Sequence, residues 1–282
     1  MSDSEQSDAL NGLKNCFSEY YRHDYDIFGN NVTNLSLSLF AVKSYYNNFF
    51  KTTRIMERLV INGFTELGKY KFLDAGCGGG QDLRSMVELG ALPENCHGID
   101  FSGEATAFAR KVSPPAMTFS NSPLHQTGLP DASCDVIFCF NTICNYHDDG
   151  EVAAIVAELR RVIKPQGILL LIGTIGDSSK GFGLANLPVR VFSVDEMTRL
   201  FNSFRLTDLS TCSVNGAEFD SNIVLQDSSG RQADVGALFA LLDDLRKQKQ
   251  YSQFFLEGAL QHMLAGLGLA KCTLKLLTFR PA

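Results

Sequence analysis

The residues that first invite a chemical reading are Asp74, the glycines that follow it, and Asp100. The stretch Phe72 to Asp82 reads FLDAGCGGGQD, with Gly76, Gly78, Gly79 and Gly80 set around Cys77. Glycine loses more backbone freedom on folding than any other residue, so a run of it needs a reason. One reason is a backbone that comes within contact distance of a ligand and turns its N–H groups toward it. Asp100 closes the next apolar run, in GIDFS. In an open parallel sheet, ligands bind outside the carboxyl ends of the strands, which is where both acids would fall. Two phosphate motifs do not fit. A dinucleotide fingerprint G-x-G-x-x-G needs its third glycine at position 81 or 83, and Gln81 and Leu83 stand there. The phosphate loop G-x-x-x-x-G-K-[ST] is absent as well.

The elements that must hold these residues alternate. YKFLDAG is a strand into the glycine turn, and QDLRSMVELG is a helix closed by Gly90. CHGIDFS is a second strand, GEATAFARKV a helix stopped by Pro114 and Pro115, MTFSN a third strand and CDVIFCFN a fourth. DDGEVAAIVAELRRVIK is a helix with Val152, Ile155, Val156, Leu159 and Ile163 on one face, and Pro165 to Gly167 ends it. GILLLIGTI is apolar throughout, as a strand covered on both faces should be. A helix over SVDEMTRLF, a strand over FRLTDLS and a last strand over KCTLKLLTFR follow. The alternation predicts an α/β protein with a doubly wound, mostly parallel sheet. The expected domains are a disordered tail over 1–12, an N-terminal helical cap over 13–66 and a core over 67–282. Within the core an insertion is expected at about 213–268, with an amphipathic helix carrying Val235, Leu238, Leu241, Leu242 and Leu245. That Leu stripe reads as packing, or as the seam of a homodimer.

Composition narrows the classes. Hydrophobic residues make up 45% and charged residues 20%, an ordinary globular balance. The formal net charge of −6 gives no global field toward nucleic acid, although a local basic patch stays open. The first residues, MSDSEQSDALNG, lack the basic and apolar regions of a signal peptide, and no apolar run is long enough to span a membrane. The eight cysteines include no C-x-x-C pair, so reduced thiols in a cytoplasmic protein are expected and a structural zinc is not. Asp148 and Glu151 have capping-box spacing, which accounts for the HDDGE cluster without a metal.

The pattern D-x-G-x-G-x-G at Asp74 to Gly80 resembles the first motif of the class I S-adenosylmethionine methyltransferases. LPDASCDVIFCFNTICNY and ELRRVIKPQGILLLIGT resemble the same family's fourth strand and its helix, turn and fifth strand, so the likeness runs in order over about residues 40–175. It implies a Rossmann-like, seven-stranded sheet and S-adenosyl-L-methionine as cofactor, with S-adenosyl-L-homocysteine as product. Gly76, Cys77 and Gly78 would then approach the cofactor, and Asp74 would serve its ammonium end directly or through water. Asp100 would take both ribose hydroxyls, and Phe101 would pack on the adenine. Asn121 and Ser122 would lie near the adenine amine, where the family usually has an acid.

The run YYNNFFKTTRI resembles a signature of the messenger-RNA cap guanine methyltransferases, and FNTICNY resembles their fourth-strand run. Carried over, Lys51 reaches the cofactor carboxylate, and Asn141 and Tyr146 stand beside the cofactor. Asn47 and Asn48 would face the acceptor, with Tyr45 and Tyr46 among the aromatic residues that line its pocket. The alternative for Asn47, Asn48 and Lys51 is a solvated helix face. The group usually has His where Asn145 stands, and a basic surface that this acidic chain lacks overall.

Methyl transfer is a displacement with an activated leaving group, so positioning and electrostatics can carry much of it. His147 is the best placed base if the acceptor is a hydroxyl or an acidic carbon; otherwise it is a loop histidine at a helix start. The expected activity is methylation of an O, N or C atom of a small organic acceptor. Methylation of a guanine-like base or RNA cap is the alternative, and a cofactor-binding module without turnover is a second.

Overall fold

The computed structural model describes residues 39–176, 182–184, 187–219, 224–226, 230–234, 236–238, 240–241, 244, 260, 263–264 and 270–282. The expected tail over 1–12, the first part of the expected cap, and Val235, Leu242 and Leu245 of the Leu stripe lie outside the described residues. Leu238 and Leu241 are helical and exposed.

Helix α1 (Leu39–Ile61) leads into β1 (Phe72–Ala75), α2 (Gln81–Glu88), β2 (Cys96–Asp100), α3 (Gly103–Val112) and β3 (Thr118–Asn121). Then come β4 (Cys134–Phe140), α4 (Asp149–Val162) and β5 (Ile163–Gly176). A short ladder of β6 (Phe182–Leu184) and β7 (Leu187–Val189) precedes α5 (Val194–Leu200) and β8 (Phe204–Phe219). Strands β9 (Val224–Gln226) and β10 (Gln232–Asp234) pair with each other, and β11 (Ala270–Pro281) closes the chain.

Seven strands form the main sheet in the order β3-β2-β1-β4-β5-β11-β8. β3 to β5 pair in parallel, while β11 runs antiparallel to both neighbours. The chain order reverses between β1 and β4, so a crevice opens beyond their carboxyl ends.

The strand pleat divides the core into two faces. Ile55 and Leu59 of α1, Leu83 and Met86 of α2 and Ala109 of α3 pack with Phe72, Phe138, Leu170 and Leu276. On the other face Val152, Ile155 and Leu159 of α4 and Met197 and Leu200 of α5 pack with Leu73, Ile137, Leu169 and Phe279. Local caps agree with the sequence. Asp148 accepts the Glu151 amide at the start of α4, and Ser193 and Glu196 make a reciprocal capping box on α5.

Two strands outrun their sequence signals. β5 begins at Ile163, where the sequence predicts a helix end, and carries Pro165 and Gly167 within its first residues. β8 continues to Phe219, so the segment expected as an insertion from 213 begins inside a strand. Its pairing with β11 keeps going through register shifts between Ala270 and Lys275.

Candidate active site at the β1–α2 turn

The turn after β1 is built so that glycine is required. Gly76, Gly78 and Gly80 have φ of 88°, 48° and 74°, in the left-handed region. Gly76 and Gly80 are also closed in by side chains. A Cβ on Gly76 would overlap Thr142, with Cγ2 at 2.6 Å, and one on Gly80 would lie 2.7 Å from the Phe119 ring. Internal packing thus accounts for two of the glycines that the sequence suggests would face a ligand.

The turn is tied to β2. The amides of Gly76 and Cys77 both donate to the Ile99 carbonyl, at 2.8 and 2.9 Å. The amide of Gly78 donates to Asp100 Oδ2 and that of Ser102 to Asp100 Oδ1, both at 2.9 Å. Asp100 is buried at the end of β2, and burial raises its pKa while the Ser102 and Gly78 amides pull it back. Each of its oxygens takes one amide and keeps a second acceptor direction.

Asp74 is 2% exposed at the end of β1. Burial pushes its pKa well above the usual carboxylate range; Asp82 and Asp100 push the same way and Lys51 pulls back. Lys51 comes from α1, with its ammonium 2.6 Å from Asp82 Oδ1 in the first turn of α2. It also lies 5.9 Å from the centre of the Phe140 ring. Sequence reasoning missed Asp82; its signal is an acid in the first turn of the helix that follows the glycines, where the helix dipole favours negative charge.

The other expected residues fall in different places. Cys77 turns its thiol into the core, within 2.8 Å of where a Cβ on Gly98 would stand, and burial pushes its pKa up. Phe101 is half-buried beside Asp100. Asn121 is exposed and donates to the Asp100 carbonyl at 3.1 Å. Ser122 Oγ is buried and has no hydrogen-bond partner among the described residues.

Asn141 follows β4 with φ of 53°, strained for a residue with a Cβ. Its carbonyl accepts Asn145 Nδ2 at 3.0 Å, and its amide donates to Ile172 O at 2.8 Å. Tyr146 is half-buried against the α4 side of the core. Burial raises its phenol pKa, and Cys139 and Asp100 add to the rise, so Tyr146 belongs to the same electrostatic neighbourhood. His147 is exposed, and its carbonyl faces Arg190 at 3.5 Å. Asp149 is held by Arg190 at 2.8 Å and Arg199 at 3.1 Å, which sets its pKa low. Tyr45, Tyr46, Asn47 and Asn48 are in α1, and their side chains lie outside the described residues.

A family model described as a methyltransferase domain matches residues 73–171, from within β1 to within β5. Over those residues the chain is similar to that family. The matched residues contain the glycine turn, both buried aspartates and the strained turn after β4. An uncharacterised 37.1 kDa protein in transposon TN4556 of Streptomyces fradiae is 33% identical over 101 residues, covering 35% of this chain and 28% of that one. The chain thus matches less than a third of the length of this curated relative.

Among solved structures, the [4+2]-cyclase SpnF superposes with a TM-score of 0.51 at 17% identity, over 81% of this chain and 80% of its own. A putative sarcosine dimethylglycine methyltransferase from Galdieria sulphuraria gives a TM-score of 0.52 at 14% identity, over 84% and 85%. At these identities the likeness is one of fold, and the chain has the Rossmann-like class I architecture.

Proposed function

We propose that the protein is an S-adenosylmethionine-dependent methyltransferase that methylates an O, N or C atom of a small organic acceptor by direct displacement. The observation that carries this is Asp100. Its buried carboxylate is fixed by the Gly78 and Ser102 amides at the carboxyl end of β2, one strand from the switch point, with an acceptor direction left on each oxygen for a vicinal diol. Two further features fit such a ligand. Asp74, Asp82 and Asp100 outnumber Lys51 in the cluster, which suits a ligand with positive charge. The unpartnered Ser122 Oγ lies beside Asp100, whose carbonyl accepts the Ser122 amide at 3.2 Å.

When bound, S-adenosylmethionine supplies a methyl group already activated on a sulfonium sulfur, and S-adenosylhomocysteine is the product. The chain's own part is to bind, orient and exclude water. Asp100 holds the ribose, Phe101 packs on the adenine, and Asn121 and Ser122 serve its polar edge. Asp74 accepts from the ammonium, and Lys51 attracts the carboxylate. Asn141 and Tyr146 border the site from the β4 side. The acceptor approaches along the first half of α1, where Tyr45, Tyr46, Asn47 and Asn48 stand. His147 takes the acceptor's proton on an imidazole nitrogen where the acceptor is a hydroxyl or an acidic carbon.

The likeness in fold to a protein named as a [4+2]-cyclase favours one second reading: a domain of this architecture that binds the cofactor without transferring its methyl group. Methylation of a guanine-like base or RNA cap rests only on the runs around Lys51 and Asn141. Incubation with methyl-labelled S-adenosylmethionine separates the three. Label in a small-molecule fraction is the expected result. Label in capped RNA alone would move the acceptor, and cofactor binding with no labelled product from either would favour the second reading. We further propose a cytoplasmic protein whose partner is a small-molecule acceptor, with nucleic acid only as the alternative named above, no membrane partner, and a homodimer as its candidate assembly. Among the described residues no helix is long and apolar enough to cross a membrane.

A further inference from the structure

Helix α1 is fastened to the sheet at two levels. At its lower end Arg58 bridges Asp208 of β8 at 2.8 Å, and Arg280 of β11 donates to the carbonyl and side-chain oxygens of Asn62 at 3.2 and 3.0 Å. At the level of the glycine turn the ionic tie is Lys51 to Asp82. Both side chains are largely buried, with 19% and 17% exposure. A flexible lysine stem has much rotamer freedom to lose, so an acid that holds it in place before a ligand arrives removes that cost from binding.

We propose that Asp82 is a positioning residue: it holds the Lys51 ammonium over the β1–α2 turn, between Asp74 and the Phe140 ring, so that α1 presents one fixed cation to the carboxylate of the ligand. This rests on the site being one for S-adenosylmethionine, whose amino-acid end carries that carboxylate. An ammonium has three donors, so it can keep Asp82 and donate to a second carboxylate. Asp82 also stands beside Asp74 and raises its pKa, so the lysine screens two neighbouring acids as well. The rest of α1 has its own anchors, so the path from Asp82 to the ligand's carboxylate runs through Lys51.

The test compares two neutral-sulfur probes by calorimetry: S-adenosylhomocysteine, which has the amino-acid end, and 5′-methylthioadenosine, which lacks it. Asp82→Asn should weaken S-adenosylhomocysteine about tenfold and leave methylthioadenosine within about twofold. In a Lys51→Met background the same change should cost less than about twofold, because its target is gone. Asp82→Glu, which keeps the charge, should restore most of the affinity. Equal weakening of both probes, or an equal penalty with and without Lys51, would overturn the proposal and leave Asp82 a structural residue. If the wild-type protein binds neither probe, the cofactor assignment fails and this inference falls with it.

Discussion

The backbone N–H of Gly78 donates to the carboxylate of Asp100 across 2.9 Å, joining the middle glycine of the turn to the acid that ends β2. The second oxygen of that carboxylate holds the Ser102 amide at the start of α3. One buried side chain therefore sets the path of two loops and offers its remaining acceptor directions to whatever lies between them.

Replacing Asp100 with Ala should harm fold and site together. Two buried amides lose their acceptor, at a cost of about 1–3 kcal/mol for each group left without one. S-adenosylhomocysteine affinity should fall at least tenfold, roughly one lost charge-assisted hydrogen bond. Urea unfolding and calorimetry on the same preparation check the two effects.

Gly76→Ala should lower stability by roughly 2–4 kcal/mol, since it combines a left-handed φ with an overlap against Thr142. Thr142→Ala in the same chain should recover part of the loss by removing Oγ1 and Cγ2, and none of the part due to φ. A glycine retained only for ligand approach would leave the unfolding midpoint of Gly76→Ala unchanged.

Asp74 should trade stability for binding. Its folded pKa is raised, so its ionised form is disfavoured by folding, and the penalty applies as pH rises above the unfolded value of about 4. Asp74→Asn should therefore raise stability at neutral pH by roughly 1–2 kcal/mol, a gain of a few degrees in Tm, while weakening S-adenosylhomocysteine. A Tm lowered by the substitution would contradict this account of the carboxylate.

Glu158 has the opposite sign. Arg161 first, then the Thr127 hydroxyl and amide, outweigh its burial and hold its pKa down to about 2. A depressed acid contributes stability that is complete above its unfolded pKa and drains away as pH falls toward the folded one. Tm should drop on acidification from about pH 4.5 toward pH 2, and Glu158→Gln should flatten that part of the curve. An unaltered slope would mean that other groups carry the acid transition.

Much of this was legible in the chain because local signals and tertiary demands agree. The parallel order of β1 to β5 follows from apolar runs that end in Gly, Pro or an acid and alternate with amphipathic helices. Asp74 and Asp100 could be singled out because each closes such a run. What stayed hidden depends on partners distant in sequence. Residues 213–219, SVNGAEF, open the expected insertion, and they are a strand because β11 pairs with them through bulges. Gly80 looks like a ligand contact until Phe119 is seen above it. Lys51 looks free until Asp82, in another helix, is found beside it. Cys77 shares the turn with the glycines, yet its side chain turns inward beside Gly98, which no spacing rule reveals.

The most direct measurement is calorimetric titration of S-adenosylhomocysteine into the wild-type protein and Asp100→Ala, with NAD as a control. The expected result is micromolar binding to the wild type, a loss of at least tenfold in the variant and no response to NAD. Failure of the wild type to bind, or equal affinity in the folded variant, would contradict the placement of an S-adenosylmethionine site at Asp100.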